Sequence, residues 1–204
     1  MTGTERGLRV GLLGVGGVCG AVHYPGLSRI LGVEIASVCD PNEELVAKRQ
    51  SQWQVASGHS DVDAFFAEDL DAVVIATPND QHRPLIEAAL DAGCHVLCEK
   101  PLGMSLNETI NLYEKARSSG LQHMTAFTYR FVPAMNYLRH LVHSGDLGQI
   151  RHARIQRLQD WGDAAIGWRQ YRSQAGLGEL GDMGIHRIDY AEDLLGTTRS
   201  VCAM

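Results

Sequence analysis

Lys100 stands in the triplet Glu99-Lys100-Pro101, directly after an apolar run. A lysine carried into a pocket has its pKa lowered by desolvation and can then donate a proton to a hydroxyl or take one from it. The same triplet also reads as a solvent-facing turn, with Pro101 fixing the backbone behind the lysine. Glu99 fits either a partner within that turn or a neighbour of a bound cofactor. A second stretch, Asp182-Met-Gly-Ile-His186-Arg-Ile-Asp189, sets Asp182, His186 and Asp189 or Tyr190 at i, i+4 and i+7 or i+8. On a helix these share one face. A carboxylate beside an imidazole is an acid–base set, and Gly184 leaves one side of the helix open for close approach. The alternative is an exposed helix start with Asp182 as its cap. Residues at i and i+4 also suit a metal, but no third ligand is evident, so none is expected.

A third stretch runs from Arg9 to Ala21, Arg-Val-Gly-Leu-Leu-Gly-Val-Gly-Gly-Val-Cys-Gly-Ala. An apolar strand enters a glycine cluster that opens a helix. Gly14, Gly16, Gly17 and the following Val18 form a turn whose backbone can come close to a diphosphate, with free helix N–H groups behind it. Cys19 holds the third fingerprint position, where Gly or Ala is usual. Glycine turns also close hairpins and cap helices, so this signal needs a partner. Asp40 supplies one. It ends the second apolar run, where a carboxylate accepts hydrogen bonds from ribose hydroxyls and repels a 2′-phosphate. Pro41 follows where a phosphate site wants Arg or Ser. Together these favour NAD over NADP, although Asp40 also fits an ordinary helix N-cap.

The elements that must hold these residues alternate. Strands are expected at Leu8–Leu13, Val33–Cys39, Asp71–Ala76, His95–Cys98 and Leu121–Phe127. Helices are expected at Val18–Leu31, Asn42–Gln52 (opened by Pro41), Asp61–Phe66, Gln81–Ala92 and Ser105–Ser119. Ser105 with Glu108 has capping-box spacing. Alternation of this kind implies a doubly wound, mostly parallel sheet, an α/β fold in which ligands bind beyond the carboxyl ends of the strands. The turns Gly14–Gly20, Asp40, Thr77–His82 and Glu99–Pro101 then share one edge. After residue 127 the pattern changes. A helix is expected over Pro133–Ser144, a strand over Ile150–Leu158, a polar loop over 159–181, a helix over Asp182–Leu195 and a strand from Arg199. The division is therefore a dinucleotide-binding domain at 1–126 and the start of an α+β domain at 127–204.

Bulk properties narrow the class. The 204 residues are 45% hydrophobic and 21% charged, with a net charge of −6. An acidic chain without basic runs does not suit nucleic acid. No apolar stretch approaches the roughly 20 residues of a membrane span, and the N-terminus has no signal-peptide core. A cytoplasmic location is expected. The five cysteines have no framework spacing and read as reduced thiols.

In order along the chain stand the Gly-x-Gly turn, Ala76-Thr77-Pro78-Asn79 with His82, Glu99-Lys100-Pro101, Tyr129-Arg130-Phe131-x-Pro133-Ala134, and Gly178-Glu-Leu-Gly-Asp182-x-Gly-x-His186-x-x-Asp189. This ordered set resembles the glucose–fructose oxidoreductase / inositol dehydrogenase / MocA (Gfo/Idh/MocA) family over essentially the whole chain. The resemblance implies a Rossmann domain followed by an open-faced α+β domain, and NAD(P)-linked oxidation or reduction of a secondary alcohol on a sugar, cyclitol or related polyol. By position it implies Lys100, His186 and Asp182 as the catalytic lysine, the proton-transferring histidine and its partner carboxylate. Gly14, Gly16, Gly17, Val18, Asp40, Thr77, Pro78, Asn79, His82, Glu99 and Lys100 would line the cofactor. Tyr129, Arg130, Trp168 and Arg169 would join the catalytic three at the substrate, the last two within a Trp161–Arg172 segment. It also allows a cis Lys100–Pro101 peptide. Family members continue through further strands that complete the second sheet and commonly form an oligomer interface. This chain is therefore expected to be cut short, and homo-oligomeric at full length. A cofactor-binding regulator and an NAD-dependent glycosidase are the rival activities.

Overall fold

The computed structural model describes residues 6–160 and 167–203. It divides into two compact units, Met1–Ala126 and Phe127–Met204.

The first unit is a six-stranded sheet in the order β3-β2-β1-β4-β5-β6. The strands are β1 Leu8–Leu13, β2 Val33–Cys39, β3 Ser57–His59, β4 Ala72–Ile75, β5 His95–Cys98 and β6 His123–Thr125, and every neighbouring pair is parallel. β1, β2 and β4 are rich in Val, Ile and Leu because both of their faces are covered. Val10, Leu12, Val38 and Val74 enter one apolar cluster, together with Val46 of α2 (Glu43–Trp53). Leu13, Cys39, Val73 and Ile75 enter the other. There they meet α3 (Val62–Phe66), α4 (His82–Asp91) and α5 (Leu106–Ser119) through Phe65, Ile86 and Leu112. Parallel strands need such crossovers, and alternate side chains demand apolar cover on both faces.

β3 is absent from the sequence expectation. Ser-Gly-His has no strand propensity, and its pairing to β2 depends on Gly58, where a Cβ would lie 2.4 Å from the Gln50 side chain. The helix expected at Val18–Leu31 is shorter and irregular. A π-helical turn, Cys19–His23, runs into α1, Tyr24–Leu27. Nor does Pro41 open α2: Asn42 caps that helix, its Oδ1 accepting from Leu45 N at 3.0 Å. The capping box at α5 is half formed. Ser105 Oγ accepts from Glu108 N at 3.2 Å, while the Glu108 carboxylate reaches back to Met104 N at 2.8 Å.

The second unit is helical among the described residues. It holds α6 (Pro133–Ser144), the four-residue α7 (Arg172–Ala175), a π turn Leu180–Gly184 and α8 (Ile185–Leu195). The strands expected at Ile150–Leu158 and from Arg199 do not form. A strand is stabilised by its ladder, and no neighbouring segment among the described residues offers one. α6 and α8 instead leave an apolar groove of about 460 Å³, lined by Met135, Leu138, Val142, Ile150 and Leu194 among others. No helix among the described residues is long and apolar enough to cross a membrane.

Candidate active site

The register of the sheet brings the candidate turns together. His59 pairs with Cys39, Cys39 with Leu13, Leu13 with Ile75, Ile75 with Cys98, and Cys98 with Thr125. These last residues of the strands form one row, so the segments that follow them share the carboxyl edge. The order also reverses between β1 and β4, and such a switch point opens a crevice.

At that crevice Gly14 has φ +79°, and a Cβ there would lie 2.7 Å from the Ala76 carbonyl group. Only glycine fits so close to the end of β4. Ideal Cβ atoms on Gly16 and Gly17 would meet nothing within 4 Å, so their outer side is open. Asp40 is bound to this turn: Oδ2 accepts from Val15 N at 3.2 Å and Oδ1 from Asn42 N at 3.0 Å. The carboxylate thus supports the turn and the approach to α2, while Asn42 does the capping. Cys19 is buried beneath. Burial pushes its thiol up to about 12, against the pull of Arg49 and with the help of Asp40, so it stays neutral and packs as a small apolar group.

After β4, Thr77 Oγ1 is buried with no hydrogen-bond partner, and Pro78 and the buried Asn79 lead into a short 3₁₀ turn, Asn79–Gln81. His82, expected at the cofactor, has no exposed surface. Its Nδ1 lies 2.7 Å from the Pro101 carbonyl oxygen and its Nε2 3.1 Å from that of Thr77. Burial lowers its pKa despite those two carbonyls, and a neutral ring has a single N–H, so it donates to one of the carbonyls and packs against the other from behind. The Lys100–Pro101 peptide is cis. Lys100 is half-buried, and its N–H donates to Glu99 Oε2 at 3.3 Å.

The other Glu99 oxygen meets His23 Nε2 at 2.8 Å, and both side chains are nearly enclosed. Burial alone would raise the Glu99 carboxyl. The His23 hydrogen bond and the charges of His23 and Lys100 outweigh it, and the group lies below the usual carboxylate value. A depressed carboxylate contributes stability that is complete above the unfolded value, about 4.3, and is lost as pH falls through the folded one. His23→Asn is therefore expected to destabilise the protein by about 1–3 kcal/mol at pH 7. The gap to wild type should narrow toward pH 3.5 in urea titrations, and a constant gap would disprove the coupling.

Nothing in the local sequence singles out His23 or Arg49. Both lie far along the chain from what they touch, and a histidine among nine carries no local signal. Arg49 donates from Nε to the Val15 carbonyl at 3.0 Å and from Nη2 to that of Gly16 at 3.5 Å.

The crevice fits a dinucleotide: it has an open glycine turn at one end, a carboxylate at the end of β2, and an unpartnered buried hydroxyl on Thr77. Among the described residues no cluster suits a metal ion.

In the second unit, Asp182 lies in the π turn and His186 in the first turn of α8. The Asp182 carboxylate accepts from Arg169 Nε at 2.9 Å, and the Arg169 guanidinium lies 4.4 Å from the centroid of the Trp168 ring. That contact joins two residues of the segment expected at the substrate; its positions 161–166 are outside the described residues. His186 is buried, with Tyr129 and Phe127 edge-on to it at 5.0 and 6.2 Å. The open side expected at Gly184 is taken by Leu180, whose Cδ1 would lie 3.0 Å from a Cβ there. A polar cleft of about 500 Å³ adjoins this run, lined by Arg157, Gln159, Glu179, Met183, Gly184 and Arg187. Arg130 is bound to Asp189 by a two-pronged ion pair.

Comparison with known proteins follows the same division. The sequence model of the GFO_IDH_MocA oxidoreductase family, NAD-binding Rossmann fold, matches residues 8–127, and that of the GFO/IDH/MocA C-terminal domain matches residues 135–204. Levoglucosan dehydrogenase from Pseudarthrobacter phenanthrenivorans is 33% identical over 98% of this chain and 54% of its own length. D-glucoside 3-dehydrogenase from Escherichia coli is 32% identical over 95% of this chain and 55% of its own. Among solved structures, an oxidoreductase domain protein from Kribbella flavida superposes with a TM-score of 0.85 at 34% identity, covering 93% of this chain and 54% of that one. Levoglucosan dehydrogenase in complex with NADH and levoglucosan gives 0.82 at 30% identity, with the same coverage. The chain spans about half the length of the curated relatives it matches. The glycine turn beside a β1/β4 switch point, and family matches that extend through both units, place this chain in the Gfo/Idh/MocA family of oxidoreductases.

Proposed function

We propose that the protein is an NAD-dependent oxidoreductase acting on a secondary alcohol of a sugar, cyclitol or related polyol. The observation that carries this reading is the row of strand ends, which sets the open glycine turn, Asp40, Thr77 and the Glu99–Lys100 turn along one crevice. The names of the relatives support the substrate class. Bound NAD supplies the hydride acceptor.

The chain's own residues do the rest. The amides of Gly16, Gly17 and Val18 hold the diphosphate, Asp40 accepts from the adenosine ribose, and Thr77, Pro78, Asn79 and Glu99 line the crevice, with His82 behind them. Lys100 donates to the substrate hydroxyl oxygen and stabilises the charge that develops on it. His186 takes the hydroxyl proton, and Asp182, itself held by Arg169, orients that histidine. Tyr129, Arg130, Trp168 and Arg169 belong to the substrate side. Acid–base transfer of this kind contributes about 10²–10⁴-fold. The protein works in the cytoplasm and associates with further copies of itself. The test is NADH formation with a panel of anhydrosugars, glucosides, inositols and linear polyols. Turnover of one class identifies the substrate, and NADH binding without turnover of any overturns the enzymatic reading.

Cofactor choice is a separate expectation. Asp40 puts a carboxylate where a 2′-phosphate would sit, so NADH should bind at least tenfold more tightly than NADPH, about 1.4 kcal/mol. Asp40→Ser should shrink that ratio to below threefold in fluorescence titrations. An unchanged ratio would remove Asp40 from the discrimination.

A further inference from the structure

The glycine turn has a second support, at its carbonyl oxygens. Arg49 projects from the middle of α2, donating to the carbonyl oxygens of Val15 at 3.0 Å and Gly16 at 3.5 Å. Its guanidinium carbon lies 4.8 Å from the centroid of the Trp53 ring. Trp53 in turn stacks on Tyr24 of α1 at 4.2 Å, with 8° between the planes. Gly20 leaves room for the arrangement, since a Cβ there would lie 2.8 Å from Arg49 Nη2.

The two carbonyls decide what this contact does. Each belongs to a peptide whose N–H is on the next residue, Gly16 in one case and Gly17 in the other. In a trans peptide C=O and N–H point in opposite directions, and among the described residues only Lys100–Pro101 is cis. A guanidinium that holds the Val15 and Gly16 carbonyls therefore turns the Gly16 and Gly17 amides away from Arg49, and neither glycine carries a side chain that would crowd an anion there. The Gly16 carbonyl also accepts from Gly20 N at 3.0 Å, so there Arg49 adds to a hold already made by the following turn, and its own closer bond, at 3.0 Å, fixes the Val15 carbonyl and with it the Gly16 amide. The guanidinium also adds positive charge behind the amides, and being planar and permanently charged it does so over the whole working pH range.

We infer that Arg49 is a positioning residue for the diphosphate of the cofactor: it clamps the carbonyl side of the glycine turn and so presents the Gly16 and Gly17 amides as an anion cradle. The inference rests on the proposed NAD site, and it concerns the diphosphate alone.

Arg49→Met keeps an unbranched apolar side chain and removes the clamp, the charge and the guanidinium contact with Trp53. Arg49→Lys keeps the charge with a single point of attachment. The probes are NADH and ADP-ribose, titrated by fluorescence and calorimetry, with adenosine measured by competition against NADH. Arg49→Met is expected to weaken NADH and ADP-ribose equally, by tenfold or more, and to leave adenosine within twofold. Arg49→Lys should lose about threefold on the first two. Thermal midpoints of both variants should stay within a few degrees of wild type. If wild type binds NADH and Arg49→Met binds it within twofold, or loses adenosine in the same proportion, the inference falls and the NAD site stands. If wild type binds neither NADH nor ADP-ribose, both fall.

Discussion

Lys100→Met is expected to lower kcat/KM for the polyol substrate by about 10³-fold, some 4 kcal/mol of transition-state stabilisation, while NADH affinity stays within threefold of wild type. Methionine keeps the length and apolar stem of lysine and deletes the ammonium. The surrounding turn has supports besides that ammonium. Its geometry comes from Glu99, which accepts the Lys100 N–H and meets His23, and from His82, which is packed between the carbonyls of Thr77 and Pro101. Lys100 does help hold the Glu99 carboxylate ionised against burial, but behind His23 in order of effect, so removing its charge leaves the His23 contact in place. The loss should therefore fall on kcat, because a donor to the reacting oxygen matters most when charge develops there. Lys100→Arg tests the geometry separately. Its charge is retained in a wider head, and partial activity there would show that position as well as charge is required. Turnover of Lys100→Met at the wild-type rate, or a parallel loss of NADH binding, would contradict the assignment.

How much of this could be read in advance follows from the range of the forces involved. β1, β2 and β4 were legible because a buried parallel strand is written as a continuous apolar run, and the turns after them were legible because only certain residues stop such a run. The row of strand ends then follows from parallel pairing. β3 was not legible, since Ser57-Gly58-His59 owes its pairing to the space Gly58 leaves beside Gln50. Ile150–Leu158 read as a strand from its composition, but composition cannot provide a ladder. The π turns at Cys19–His23 and Leu180–Gly184 shift the helical register at two candidate sites, and nothing in the local residue pattern signals an i→i+5 bond. His23 and Arg49 act across 76 and 34 positions of sequence. Proximity of that kind exists only once the sheet has formed.

The same limitation applies to Arg130, which the resemblance sets at the substrate. In the structure its Nε lies 3.0 Å from Asp189 Oδ2, and its Nη2 lies 2.6 Å from Oδ1. The Asp189 side chain is only 7% exposed, against 42% for Arg130. Asp193, one turn further along α8, receives Arg139 of α6 at 2.7 Å and lies 3.7 Å from Arg130 Nη1. Two arginines and two aspartates thus link α6, α8 and the Tyr129-Arg130 turn. Removing one partner of a buried pair typically costs about 3–5 kcal/mol, because the charge left behind has lost its solvent as well as its partner. Here the arginine is two-fifths exposed, so the pair is only partly buried and its removal costs toward the lower end of that range. Arg130→Met is therefore expected to destabilise the second unit by about 2–3 kcal/mol. Asp189→Asn, which leaves no buried charge, should cost about 1 kcal/mol. The measurement needs a probe confined to that unit. Trp53 is the only tryptophan of the first, so urea unfolding followed by fluorescence in a Trp53→Phe background reports on the second. If Arg130→Met unfolds with the parent there and instead weakens polyol binding, its guanidinium serves the substrate and the ion pair with Asp189 is incidental. If the midpoint falls as expected, and Arg130→Met and Asp189→Asn combined cost less than the sum of the two, the pair is a structural brace that holds α8, and with it His186, in place.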